Sequence, residues 1–134
     1  MDFKIDKFKK ITDKRGHLVV FLGSRNLPDD AKRFGQIYFI TFSGKGVVRG
    51  NHYHKKWREW FGLIDGKIEV ALRDFKTGES KRIILDSQSD EYFRLEVGPY
   101  VTHSFKCLSK TAQLLNYANG EWEASDCYTD EILQ

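Results

Sequence analysis

The chain has 134 residues, of which 40% are hydrophobic, 31% charged and 14% aromatic, with 11 glycines and 2 prolines. That length suits one domain spanning residues 1–134, and the aliphatic and aromatic content excludes a disordered chain or a Pro/Gly-rich linker between two units. A net charge of +3, from 22 basic and 19 acidic residues, is too even a balance to demand nucleic acid.

The N-terminal MDFKIDKFKK carries charge without an apolar core behind it, so no secretory signal is expected there. Lys4, Lys7, Lys9, Lys10, Lys14 and Arg15 load the start with positive charge, while Glu121, Glu123, Asp126, Asp130 and Glu131 load the end with negative charge. Two solvated faces are the plain reading; a basic rim that attracts a phosphorylated ligand is the sharper one. The longest unbroken aliphatic or aromatic run, residues 18–22, is far too short for a membrane span. Cys107 and Cys127 are too few for a disulfide scaffold and read as reduced thiols. A soluble, cytoplasmic protein with no membrane partner is therefore expected.

In chain order, residues 18–22 alternate as a strand and residues 37–42 are β-branched and aromatic throughout. Residues 60–64 run into Asp65-Gly66, a dipeptide that favours a type I′ hairpin turn, and residues 68–72 return with period two. Lys76-Thr-Gly78 makes the next turn before a strand at 82–85. Residues 92–97, 102–106 and 113–117 are three further strands. A helix fits only in a short stretch, at Pro28 to Arg33 or after Ser125. Seven or more evenly spaced strands predict an all-β sandwich or barrel.

Three of the four histidines fall in two places that such a fold can bring together. His52 and His54 are two apart, so on a strand both face one way. Glu59 has the opposite parity to His54 and needs a bend or bulge to rejoin that face. His103 shares a face with Val101 and Phe105, as an interior histidine does. The basic N-terminus lacks regularly interleaved aromatic platforms, and Gly44-Lys-Gly46 is not followed by a phosphate-loop Gly-Lys-Ser/Thr, so nucleic acid and P-loop chemistry are not indicated.

The spacing Gly46-x5-His52-x-His54-x4-Glu59-x6-Gly66 resembles the first signature of the cupin superfamily. The second signature is met by Pro99 and His103, with Val101 where glycine is usual. The resemblance implies a single jelly-roll-like cupin β-barrel of two antiparallel sheets. A narrower likeness runs over residues 8–130. Phe8-Lys-Lys-Ile-Thr-Asp13, Arg15-Gly16, Lys32-Arg33, Ile37-Tyr38, Arg49-Gly-Asn-His52, His54-Lys-Lys56 and Val97-Gly-Pro99 are similar to the sugar 3,4-ketoisomerases. These move a keto group between C4 and C3 of a nucleotide-linked 6-deoxyhexose. The related 3,5-epimerases are longer and typically replace the second histidine.

By that resemblance His52 or His54 is the base that moves the C3 proton, and Tyr38 donates to the developing oxyanion, although the family usually carries a second tyrosine where this chain has Phe39. Arg49 is matched to the phosphates, with Lys55 and Lys56 assisting; Trp57, Trp60 and Tyr100 are candidates to stack on the base, and His103 is assigned to the substrate. The family generally works without metal and tends to carry glutamine where this chain has Glu59. Here the full cupin ligand set, His52, His54, Glu59 and His103, is intact and suits Zn, Fe, Mn or Ni. A metal-dependent epimerase or oxygenase and a non-catalytic nucleotide-sugar binder are the other readings. The expected partners are a nucleotide-linked deoxysugar and, by resemblance, a second copy of the chain in a homodimer.

Overall fold

The computed structural model describes residues 1–27, 29 and 34–134. Among the described residues twelve strands follow one another: β1 (Phe3–Lys9), β2 (Ile11–Asp13), β3 (Gly16–Leu18), β4 (Gln36–Phe42), β5 (Val48–Tyr53), β6 (Glu59–Asp65), β7 (Lys67–Asp74), β8 (Ser80–Asp86), β9 (Glu91–Val97), β10 (Val101–Cys107), β11 (Ala112–Ala118) and β12 (Tyr128–Thr129). They form two five-stranded sheets, in the orders β1-β9-β6-β11-β4 and β12-β5-β10-β7-β8, with β2 and β3 as a separate exposed hairpin. Every pairing is antiparallel.

Alternation builds the interior from both sheets. Phe42, Phe61, Leu63, Leu95, Val97 and Leu114 of the first meet Ile68, Val70, Leu72, Leu85, Val101, Phe105 and Cys107 of the second. Both outer faces are partly covered by irregular chain. Phe21, Leu22 and Leu27 lie on Trp60 and Tyr117 of the first sheet. On the second, Thr102 donates to the Asp130 carboxylate, and Leu133 is buried beside Asn51.

Four expectations are corrected. Only Leu18 of the 18–22 run is in a strand; Phe21 and Leu22 instead leave the ladder to cover Trp60. Asp65-Gly66 is not a hairpin turn, because β6 pairs with β9 and β11 whereas β7 pairs with β8 and β10. The dipeptide carries the chain from one sheet to the other. Gly66 has φ +92°, and a Cβ there would lie 2.4 Å from the Thr111 carbonyl oxygen, so glycine serves a close crossing. The helix expected after Ser125 is a single 3-10 turn, Ala124–Asp126; the alternative at Pro28 to Arg33 falls, Asp29 apart, outside the described residues. Finally, the acidic C-terminus is not simply a solvated face: Asp126 is 1% exposed, and Asp130 pairs with Arg73 and Thr102. Among the described residues no helix is long and apolar enough to cross a membrane.

Candidate active site

The site starts from a break in β5. Arg49 lies opposite Phe105 and Gly50 opposite Ser104, but the next pair is His52 with His103, so Asn51 is an extra, bulged residue. Gly50 and Asn51 supply the positive φ values, +94° and +57°, that the bulge requires. A Cβ on Gly50 would sit 2.6 Å from the His103 carbonyl oxygen, so the two strands approach closely only with glycine there. The bulge resets parity. Arg49 and His52, three apart, both share the interior face with Phe105 and His103, while the Asn51 side chain turns outward to bond the backbone of Ile132 and Leu133.

His54 follows one residue beyond the end of β5, and its ring stands 5.0 Å from that of His52. The His103 ring lies 4.9 Å from His52 and 5.8 Å from His54, with Phe61 and Phe105 behind it. Glu59 returns to the histidines by neither a bend nor a bulge of β5. The chain crosses to the opposite sheet, and Glu59 opens β6 facing them. Its Oε2 lies 3.1 Å from His103 Nε2 and 3.6 Å from His54 Nε2. Its Oε1 accepts from the Tyr38 hydroxyl at 3.4 Å and from Asn116 Nδ2 at 3.5 Å. Asn116 faces Tyr38 across the β11–β4 ladder and leaves its Oδ1 without a protein partner among the described residues.

Backbone carbonyls determine how the rings present themselves. A carbonyl only accepts, so His54 Nδ1 must donate to Asp126 O at 2.6 Å, and His103 Nδ1 to Val101 O at 3.2 Å. The Nε2 atoms of both rings therefore face Glu59.

Electrostatics sorts these groups by role. Burial pushes His52 down to about 4, assisted by repulsion from His103 and His54. Burial likewise lowers His54, against the opposing pull of Glu59. At neutral pH both are neutral bases. Burial works to raise the Glu59 carboxyl, but His103, His54 and His52 outweigh it and hold the carboxyl below its usual range. The Tyr38 phenol is pushed far up by burial and by Glu59, while the Arg49 charge opposes this, so Tyr38 is a proton donor and not a base. Burial also raises the Cys127 thiol, which is close enough to Glu59 for the charges to interact.

The structure thus gathers His52, His54, His103, Glu59 and Tyr38 in one interior volume, with Arg49 on the same face of β5 but exposed. Other expected site residues lie elsewhere. Tyr100 stacks on Tyr53, which faces away from the imidazoles, with Lys76 over its ring. Lys56 pairs with Glu123 in solvent, 3.4 Å away, and Lys55 sits over the Tyr128 ring. Trp60 has outward parity and is fully buried against Tyr117, whereas Trp57 does reach the site, its ring 4.5 Å from that of His54. Three participants were not anticipated: Asn51, Asn116 and Asp126. Gly50-Asn51, two residues tolerant of positive φ within a strand, is a readable bulge signal, and Asn116 interrupts an apolar strand. Asp126 carries no local signal.

Two packed antiparallel sheets with an interior cluster of three imidazoles and one carboxylate define a small cupin-type barrel. Over residues 1–132 the chain matches the FdtA: WxcM-like, C-terminal family, and it belongs to that family. It is 34% identical over 127 residues to the TDP-4-oxo-6-deoxy-alpha-D-glucose-3,4-oxoisomerase of Aneurinibacillus thermoaerophilus, covering 94% of this chain and 85% of that one. A mutant of the 3,4-ketoisomerase QdtA from Thermoanaerobacterium thermosaccharolyticum, in complex with TDP-4-keto-6-deoxyglucose, superposes with a TM-score of 0.79 at 28% identity, covering 96% of this chain and 88% of that one. A 3,4-ketoisomerase from Helicobacter canadensis gives a TM-score of 0.79 at 27% identity, over 97% and 92% of the two chains.

Proposed function

We propose that this chain is a sugar 3,4-ketoisomerase that converts a TDP-4-keto-6-deoxyhexose to its 3-keto isomer. The observation that carries this reading is the pair of neutral imidazoles beside a protonated phenol in one barrel, in a chain whose relatives act on, or are seen with, TDP-4-keto-6-deoxyglucose. The C4 carbonyl acidifies the proton on C3. His52, the most exposed of the three clustered histidines, takes that proton, giving an enediolate across C3 and C4. His54 Nε2 and Tyr38 handle the oxygens, since the hydroxyl proton of O3 must leave as O4 gains one. His52 then returns its proton to C4, so atoms and charge balance without a redox partner. Arg49, exposed on the same face of β5, supplies the cation for the diphosphate.

A second reading rests on the ligand atoms of His52, His54 and His103 lying within 4.8 Å of one another. With Glu59 they would hold a divalent ion, which supplies Lewis-acid polarisation of a carbonyl when bound. Metal analysis of the purified protein beside Glu59→Gln tests it: stoichiometric metal lost together with activity favours this reading.

A homodimer is part of the proposal. The outer face of β4 exposes Ile37 and Phe39, at 59% and 73%, with Phe34 adjoining. Sedimentation equilibrium tests it, and a monomer at micromolar concentration contradicts it. The reaction itself is tested by incubating the chain with TDP-4-keto-6-deoxyglucose in D2O; isomerisation with deuterium at the exchanging carbon supports the proposal, and unchanged substrate overturns it.

A further inference from the structure

One buried acid holds three consecutive residues where the chain leaves β5. Asp126 Oδ1 accepts the Lys55 amide at 3.0 Å, its Oδ2 accepts the Lys56 amide at 3.1 Å, and its main-chain oxygen accepts His54 Nδ1–H at 2.6 Å. The residue is 1% exposed and lies 72 positions from His54. The segment that carries it is stitched to the same strand on its C-terminal side. Tyr128 pairs with Tyr53 and stacks on it at 5.2 Å; the Asp130 amide donates to Asn51 O at 2.8 Å; and the Asn51 amide group holds Ile132 and Leu133. The position of the Asp126 carbonyl is therefore set by β5, the strand that also leads to His54.

We infer that Asp126 is a positioning residue for the reaction: its carbonyl holds His54 as the Nδ1–H tautomer, with a bare Nε2 toward the barrel interior, and its carboxylate fixes the 54–56 backbone on which that geometry depends. The tautomer matters because only an unprotonated Nε2 can receive a proton from substrate oxygen, and the partner of one ring nitrogen determines the state of the other. The same tautomer would present Nε2 to a metal, so the assignment holds under either reading of the histidines. Its kinetic consequence alone rests on the ketoisomerase proposal.

The test uses the full 15N-labelled chain at neutral pH. Long-range 1H–15N correlations of the His54 ring, identified by their loss in His54→Gln, are expected to show a protonated Nδ1 and an unprotonated Nε2. Asp126→Asn puts an amide NH2 against one of two backbone N–H groups, so the turn moves and the Nδ1–H signature is lost or mixed with the other tautomer. The kinetic expectation for that variant is a kcat lower by on the order of 10- to 100-fold with KM within about twofold. Asp130→Asn, which loosens the same segment away from His54, is expected to leave the tautomer unchanged. An Nε2–H tautomer in the unmodified chain overturns the proposal, and needs no variant to fold. So does Asp126→Asn with both tautomer and kcat unchanged. If the unmodified chain shows the Nδ1–H tautomer yet turns over no 4-keto sugar, it is the ketoisomerase reading that fails, and Asp126 still orients His54.

Discussion

His52 provides a pH dependence whose size follows from its surroundings. Its ordinary value is 6.5, and burial together with repulsion from His103 and His54 brings it down to about 4 in the folded chain. The folded state thus holds a proton on this ring less tightly than the unfolded state does. The stability that this neutral ring contributes is complete above pH 6.5, is lost as pH falls toward 4, and changes no further below. At about 1.4 kcal/mol per tenfold change in proton affinity, and discounted for partial solvent screening, the loss is about 2 to 3 kcal/mol. His54 shifts in the same direction and adds to it. Urea unfolding of the unmodified chain and of His52→Gln, at about pH 7.5 and about pH 4, measures the term through the midpoint at constant m-value. The variant is expected to lose about 2 to 3 kcal/mol less than the unmodified chain over that range. An equal loss in both refutes the view that His52 is held neutral by its site.

Gly50→Ala places a Cβ 2.6 Å from the His103 carbonyl oxygen at a residue with φ +94°, so a stability loss of about 1–3 kcal/mol and a lower melting temperature are expected, with activity falling as the His52 and His103 rings separate. Wild-type stability would show that the bulge does not need glycine. Arg49→Met is expected to raise KM for the nucleotide sugar about tenfold or more, with kcat changing little, because a phosphate contact is present in ground and transition states alike. A fall in kcat at constant KM would instead place Arg49 at the reacting carbons. Glu59→Gln keeps the shape while removing the charge; under the metal-free reading kcat stays within about tenfold, since the amide oxygen still accepts from Tyr38 while the amide NH2 faces His103 Nε2, which can accept it. Loss of activity together with a bound ion would assign Glu59 to a metal.

The barrel was legible because period-two patterning is dense where strands are central: 37–42, 68–72, 92–97 and 102–106 all lie within observed strands. Edges were less so. Phe3, Ile5 and their neighbours form β1 against β9, yet the interleaved lysines read as a solvated face or a basic rim. The 18–22 run alternates well but covers a sheet without joining one, a tertiary choice that local pattern does not encode. At the site, the His-x-His spacing and the apolar setting of His103 identified the converging imidazoles, and the parity argument correctly set Glu59 apart from them. What parity cannot reveal is a change of sheet, and that is how Glu59 arrives. Asp126 was hidden for a different reason: its service to His54 runs through a main-chain oxygen, which any residue type possesses. Tyr100 lies apart from the imidazoles, and aromatic character near a motif does not tell which face of β5 the ring will occupy.

The account's central claim is that neutral imidazoles in this barrel move a proton between adjacent carbons of a 4-keto sugar. Proton NMR of TDP-4-keto-6-deoxyglucose with the chain in D2O tests it most directly. The expected result is conversion to the 3-keto isomer with deuterium entering at C3 or C4, abolished by His52→Gln while His52→Gln remains folded by circular dichroism. No exchange at either carbon with the unmodified chain, or exchange undiminished in His52→Gln, would contradict it.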